Sequence, residues 1–285
     1  MSRESSVQVS MFGANTYSYT RSHSAEACLA RLADFGFREF ELMVHPGHLW
    51  PAELAAEQRR ALRDLIERSG WTLTALNMPN IDINVAAAAP RMRAYSLKLL
   101  IETVRLAGKL GARGVVIGPG KANPLFPASV DQLTKHFFDA LDLLAPIAKT
   151  SGTALWVENM PFAFLPAIGG LMDALDQYGN DAVRVVYDIA NAYFIGEDFA
   201  AGLQQCRARL ALVHLSDTGR QHYRHDPVGL GTVPFAEVPR ALAAVGYMAR
   251  PMLEIISRDP DRDIVASADK LALLGFTRPI ASPAI

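Results

Sequence analysis

Short apolar runs alternate along this chain with longer stretches whose apolar residues recur at helical spacing. Near-continuous runs of Val, Ile and Leu mark strands buried on both faces, as in a parallel sheet. Such runs predict strands over residues 7–12, 39–44, 72–76, 114–117, 154–158, 183–188, 210–214 and 251–254. Helical spacing predicts helices over 25–35, 52–68, 92–110, 130–149, 167–178, 199–208, 235–245 and 264–274. Ser24 stands as the cap of the first helix, and Gly36, Gly70, Gly111, Gly152, Gly179 and Gly246 stand where helices should stop.

Eight repeats of strand and helix predict a closed parallel barrel of the (β/α)8, or TIM barrel, kind in preference to an open sheet. No linker or low-complexity segment interrupts the count, so the reading is a single α/β domain over residues 1–285. The length agrees, since such barrels run to about 250 residues as one unit.

The later strands share a design. Ala154-Leu-Trp-Val-Glu158, Val183-Arg-Val-Val-Tyr-Asp188, Leu210-Ala-Leu-Val-His214 and Pro251-Met-Leu-Glu254 each close on a metal-ligating side chain. Barrel enzymes place their chemistry at the carboxyl ends of strands, so Glu158, Asp188, His214 and Glu254 should converge on one rim. A single strand-end acid is as often a helix cap or half of an ion pair, but four such residues together are harder to dismiss. Three carboxylates and an imidazole form a mostly oxygen-rich set suited to Mn²⁺, Mg²⁺, Co²⁺ or a catalytic Zn²⁺.

Composition narrows the partner. The net charge is -1, which offers no bulk attraction to nucleic acid or to an anionic membrane, so a small molecule is the expected ligand. Cys28 and Cys206 are the only cysteines, and Met1-Ser-Arg-Glu-Ser-Ser6 lacks the apolar segment of a signal peptide. No apolar run approaches membrane-spanning length, and the expectation is a cytoplasmic protein, with a homo-oligomer left open.

Val157-Glu-Asn-Met-Pro161, Tyr187-Asp-Ile-Ala-Asn191, Val213-His-Leu-Ser-Asp217, Val228-Gly-Leu-Gly231 and Leu253-Glu-Ile255 together resemble the xylose-isomerase-like barrel superfamily. That group includes ketose 3-epimerases, hydroxypyruvate isomerase, inosose dehydratase, 3-dehydroshikimate dehydratase and endonuclease IV. The resemblance implies one divalent metal on Glu158, Asp188, His214 and Glu254. It further implies that Glu158 and Glu254 exchange the substrate's proton.

Departures from the pattern narrow the function. Endonuclease IV resembles this chain in fold but uses further His ligands for three zinc ions, and Asn77, Gly118 and Asn191 stand at three of those places. His225 remains, with Tyr223 where its Asp partner would be, so one metal fits better than three and DNA repair is not expected. The ketose 3-epimerases carry a His where Asn191 stands and a Glu within the stretch Pro161-Phe-Ala-Phe164, but they share an Arg at the spacing of Arg220.

Arg220, His225, Asn191, His45 and Asn77 are therefore the candidate substrate contacts, with a solvated loop as the plain alternative for Arg220 and His225. His48, Trp50, Phe162, Phe164, Tyr193 and Phe194 follow strand ends and are candidates for the pocket wall. Lys121 after Gly118-Pro-Gly120 lacks the spacing of a phosphate loop. The reading is a metal-dependent isomerase or epimerase of a keto-sugar, keto-polyol or related hydroxycarbonyl compound, by proton transfer through an enediolate. The rivals are a dehydratase or lyase of the inosose or dehydroshikimate kind, or one eliminating from oxidised glycosides, and a non-catalytic sugar-binding barrel.

Overall fold

The computed structural model describes residues 10–276. Their strands are β1 (Gly13–Asn15), β2 (Glu39–Met43), β3 (Thr72–Asn77), β4 (Gly114–Ile117), β5 (Ala154–Glu158), β6 (Arg184–Asp188), β7 (Leu210–Leu215) and β8 (Met252–Leu253). They pair in chain order, every pair parallel, and β8 closes on β1. The helices are α1 (Ala25–Asp34), α2 (Ala56–Arg68), α3 (Pro90–Leu110), α4 (Val130–Ser151), α5 (Ile168–Tyr178), α6 (Ile189–Phe194), α7 (Phe199–Cys206), α8 (Val238–Ala244) and α9 (Pro260–Leu273). This is the expected (β/α)8 barrel. No helix among the described residues is long and apolar enough to cross a membrane.

Alternation along each strand divides the inward side chains into two storeys. Ala75, Val116, Trp156, Val186, Leu212 and Met252 form a closed apolar cluster of their own, separate from the large core that the outward strand faces make with the helices. Two residues further along their strands stand Asn77, Glu158, Asp188, His214 and Glu254, and all five are buried. The period of two therefore lays a polar floor directly on an apolar plug. The plug needs room at its narrow points. A Cβ on Gly114 would lie 2.3 Å from the Trp156 indole, and one on Gly13 would lie 2.6 Å from the Met252 methyl.

Among the departures from the expected elements, three bear on how the barrel is built. The first strand, expected over residues 7–12, is Gly13–Asn15; residues 7–9 lie outside the described range, and Phe12 packs on Phe276 in the outer core. Pairing sets this register, because Gly13 donates to Pro251 O and Asn15 lies opposite Glu41. The second helix begins later, at Ala56, because Leu54 and Ala55 are extended and the Gln58 side chain turns back to the Ala55 amide. Helix α6, absent from the expected elements, follows β6 directly.

Gly114→Ala should destabilise the fold by about 1–3 kcal/mol, the usual cost of forcing extra volume into a packed interior. Chemical denaturation checks it, and an unchanged midpoint would mean that the indole has space to move.

Candidate active site

The carboxyl ends of the strands open into a cavity of about 360 Å³ whose floor holds Glu158 and Glu254. One ligand atom from each of Glu158, Asp188, His214 and Glu254 can be chosen so that all four lie within 4.8 Å of one another. His214 Nδ1 is 3.1 Å from Glu158 Oε1, 3.4 Å from Glu254 Oε2 and 3.9 Å from Asp188 Oδ2. The four side chains foreseen at strand ends thus form one buried group able to hold a metal ion.

Asp188 shows how the local fold aims a carboxylate. Its Oδ1 accepts from the Asn191 amide at 2.8 Å and caps α6, while its Oδ2 is buried without a hydrogen-bond partner. An orphaned carboxylate oxygen is costly unless something positive fills the space before it. The cap reading of this strand-end acid is met by Oδ1, which leaves Oδ2 free of that task. Asn159 steadies the same corner, its side chain accepting from the Asp188 amide at 2.7 Å and donating to the Asp188 carbonyl at 3.1 Å.

Burial and crowding unsettle the charges. Burial raises the Glu158 carboxyl to about 7 against the pull of His214, and burial likewise raises Asp188. Burial would raise Glu254 too, but the His214 and His225 rings hold it well below the ordinary carboxylate range. Burial opposes a charge on His214, yet the Glu41, Glu254 and Glu158 carboxylates around it lift its pKa well above the usual value. A cation bound here would take the place of protons that the cluster otherwise keeps.

The long loop after β7 completes the floor. Asp217 organises it, accepting at Oδ1 from the Thr218 and Val233 amides and at Oδ2 from the Gly229 amide. The loop delivers His225, whose Nδ1 is 3.2 Å from Glu254 Oε2 and 3.0 Å from Ser216 Oγ. Its Nε2 meets the Tyr223 hydroxyl at 2.7 Å, and that hydroxyl donates to Asn191 Oδ1 at 2.8 Å. Burial works against a charge on His225, but Glu254 and Asp188 bring it up to about 9.

His225, Asn191 and Asn77, expected as substrate contacts, line the cavity, and their polar atoms already hold protein partners. Two expected contacts, Arg220 and His45, stand outside the cavity lining. Arg220 is exposed and stacks its guanidinium 4.2 Å from the Tyr193 ring centre, outside the cavity. His45 is held in a tight turn, its backbone paired with Leu49 and its Nδ1 2.8 Å from Pro46 O, and it does not reach the cavity. His48 is also away from it, a buried strut between Thr16 Oγ1 at 2.9 Å and His23 O at 2.7 Å. Of the expected aromatic walls, Phe162 lines the cavity and packs on Tyr223, whereas Trp50 and Phe164 pack against the main core.

Sequence reasoning passed over Tyr17, Asn15 and Glu41. Tyr17 lines the cavity from the loop after β1, and the other two are fully buried beside the cluster. Glu41 had a signal: an acid flanked by Phe40 and Leu42 inside a buried strand.

The chain matches the xylose isomerase-like TIM barrel model over residues 29–274, and it belongs to that family. Among curated proteins it is 24% identical over 241 residues to "Putative L-ribulose-5-phosphate 3-epimerase SgbU" of Escherichia coli, covering 80% of this chain and 81% of that one. It is 25% identical over 171 residues to the L-ribulose 3-epimerase of Mesorhizobium japonicum, covering 58% and 56% of the two chains. Its fold superposes on a D-tagatose 3-epimerase-like protein with a TM-score of 0.79 at 21% identity, over 92% of this chain and 96% of the other. The IOLI protein, solved with a binding zinc atom, superposes with a TM-score of 0.77 at 16% identity, over 95% and 99%.

Divalent cation at about a hundredfold excess over its Kd should stabilise the protein by about 2.7 kcal/mol. Asp188→Asn retains the capping oxygen and should lose that stabilisation while the metal-free melting temperature stays close to the parent's. Affinity should weaken as pH falls through about 7, where Glu158 takes up its proton in competition with the ion. Thermal melts with and without Mn²⁺, over a pH series, read both effects.

Proposed function

We propose that the chain is a divalent-metal-dependent isomerase or epimerase of a keto-sugar or related hydroxycarbonyl compound. The observation that carries this reading is the pair Glu158 and Glu254, two carboxylates from strands on either side of β6 and β7 that meet at the floor of one cavity. Glu158, Asp188, His214 and Glu254 would hold the ion, and the orphaned Asp188 Oδ2 supports that fit. When bound, the ion supplies a Lewis acid that polarises the carbonyl and offsets the charge of the enediolate.

The protein's own groups then handle the proton. One of the two glutamates removes it from the carbon next to the carbonyl and the other returns it, on the same carbon for an epimerase or the neighbouring one for an isomerase. Because the pair reaches the reacting carbon from different strands, each carboxylate is suited to one face of it. His225, gripped by Tyr223 and Ser216, holds the Glu254 carboxylate in place. The Met160 and Phe162 side chains and the residues around Ile83 wall the site with apolar surface, which limits the water that reaches a reactive enediolate.

The cavity suits a neutral substrate. Lys121 is the one Lys or Arg among its described lining residues, and its amine already donates to the Asn80 and Ile81 carbonyls at 2.6 and 2.7 Å. Burial also lowers the pKa of that amine. Arg220 lies on Tyr193 outside the cavity lining, and the His225 ring within that lining already has both nitrogens partnered by Ser216, Glu254 and Tyr223.

The test is a panel of ketoses, keto-polyols and keto-acids incubated with protein and Mn²⁺ in heavy water, with recovered material examined by NMR after the ion is removed. Deuterium at the carbon beside the carbonyl, without loss of water, is the expected result; products of elimination alone would replace this reading with a lyase. Glu158→Gln and Glu254→Gln should each lower kcat by about 10²–10⁴-fold, the contribution of general acid–base catalysis. Near-normal turnover in both variants with metal bound would reduce the pair to ligands. Free L-ribulose should be used with higher kcat/KM than its 5-phosphate, and the reverse order would show an anion site that the cavity lining does not reveal.

A further inference from the structure

Glu41 lies at the centre of the barrel mouth, fully buried, and no step above uses it. Its Oε2 is 3.1 Å from His214 Nε2, on the edge of the ring away from the carboxylates that crowd Nδ1. Its Oε1 accepts from Asn15 Nδ2 at 2.5 Å and from Asn77 Nδ2 at 3.0 Å. Asn15 Nδ2 also reaches Glu254 Oε1 at 3.2 Å. A buried carboxylate with both oxygens held by three strands is an unusual expense in a barrel interior, and structural packing alone would be served by an apolar residue.

A neutral imidazole has one N–H, and its position decides which nitrogen offers a lone pair. Nδ1 faces Glu158, Asp188 and Glu254, so a cation among them needs that lone pair and the proton must sit on Nε2. Nε2 faces only Glu41 among the hydrogen-bonded acceptors of the described residues. A carboxylate on the far side of a ligating imidazole selects the tautomer, orients the ring and raises its basicity.

We propose that Glu41 is a positioning residue for the metal centre: it holds the His214 proton on Nε2, so that Nδ1 binds the cation, and through Asn15 it sets the Glu254 carboxylate. Asn77, foreseen as a substrate contact, has the supporting task of fixing the second oxygen of Glu41. This rests on the reading that Glu158, Asp188, His214 and Glu254 hold a divalent ion. It adds what that reading leaves open, namely why a buried acid from β2 belongs to a site built by β5 to β8.

The test pairs cation affinity with the state of the imidazole. Glu41→Gln keeps size and one acceptor oxygen, but it cannot accept on the Nε2 side and toward both asparagines at once without turning its amide N–H groups onto a donor. Mn²⁺ titration by calorimetry should show Kd weakened by about 10–100-fold in Glu41→Gln, the usual effect of removing such a partner. Asn77→Ala, which leaves the Glu41–His214 contact in place, should weaken it less. In Zn²⁺-loaded parent protein carrying ¹⁵N-labelled histidine, the His214 Nε2 proton should be visible and slow to exchange, and Glu41→Gln should lose or shift that signal. Circular dichroism of the metal-free proteins establishes that the variants fold; if Glu41→Gln does not, Asn77→Ala and the parent's imidazole spectrum still decide. Parent-like affinity with an unmoved imidazole signal in Glu41→Gln, or a parent spectrum with the proton on Nδ1, would overturn the proposal. A parent that takes up no cation would instead remove the metal reading beneath it.

Discussion

The mouth of this barrel is governed by the concentration of like charge in a dry place. Glu41, Glu158, Asp188 and Glu254 surround His214, and all five are buried. An isolated carboxylate in such surroundings costs several kcal/mol, and four close together are tolerable only with positive partners and hydrogen-bond donors. Protons, the two imidazoles and the side-chain amides of Asn15 and Asn77 provide part of the compensation. Asp188 Oδ2 has no hydrogen-bond partner and only the His214 and His225 rings at 3.9 and 3.8 Å, so a bound cation would add to this compensation. The division of the carboxyls into one raised to about 7 and one held low is the same constraint seen from each residue in turn.

The frame beneath makes that concentration sustainable. The lower storey, with Trp156 laid over Gly114, closes the barrel lumen and denies the cluster water from below. The polar storey above it is reached by stepping two residues along each strand, so the rigidity of the sheet passes directly to the buried acids and His214. Loops enter only from above, where Asp217 ties the β7 loop so that His225 and Tyr223 come down onto Glu254 and Asn191.

Specificity and chemistry therefore have different owners. The strands provide the carboxylates and imidazole, and the loops after β3, β4 and β5 provide an apolar wall in which the single lysine is already occupied. Barrels of this kind vary their substrates through such loops while the strand ends hold the reaction centre. In a family whose relatives include one named for a phosphorylated ketose, the loop-built lining is the part of the cavity that is free to differ.

The order of strands and helices and the convergence of four strand-end side chains were legible in the sequence, because both follow from local rules. Burial on two faces demands apolar runs, and a period of two puts whatever ends a run at the rim. Glu158, Asp188, His214 and Glu254 could be named on that basis without knowing a single distance. The positions decided by tertiary structure were those where competing contacts settle direction. Arg220 has the spacing of a substrate clamp, but an aromatic face lies within reach and takes the guanidinium outward. His45 and His48 are neighbours of the rim in sequence, yet a tight turn holds one and buried hydrogen bonds hold the other. The first strand moved to Gly13–Asn15 because its register is set by β8 and β2, which lie far away along the chain. Glu41 was hidden for the same reason: an acid inside a strand reads locally as an interruption, and only closure of the barrel brings His214 to its side, 173 residues away in sequence.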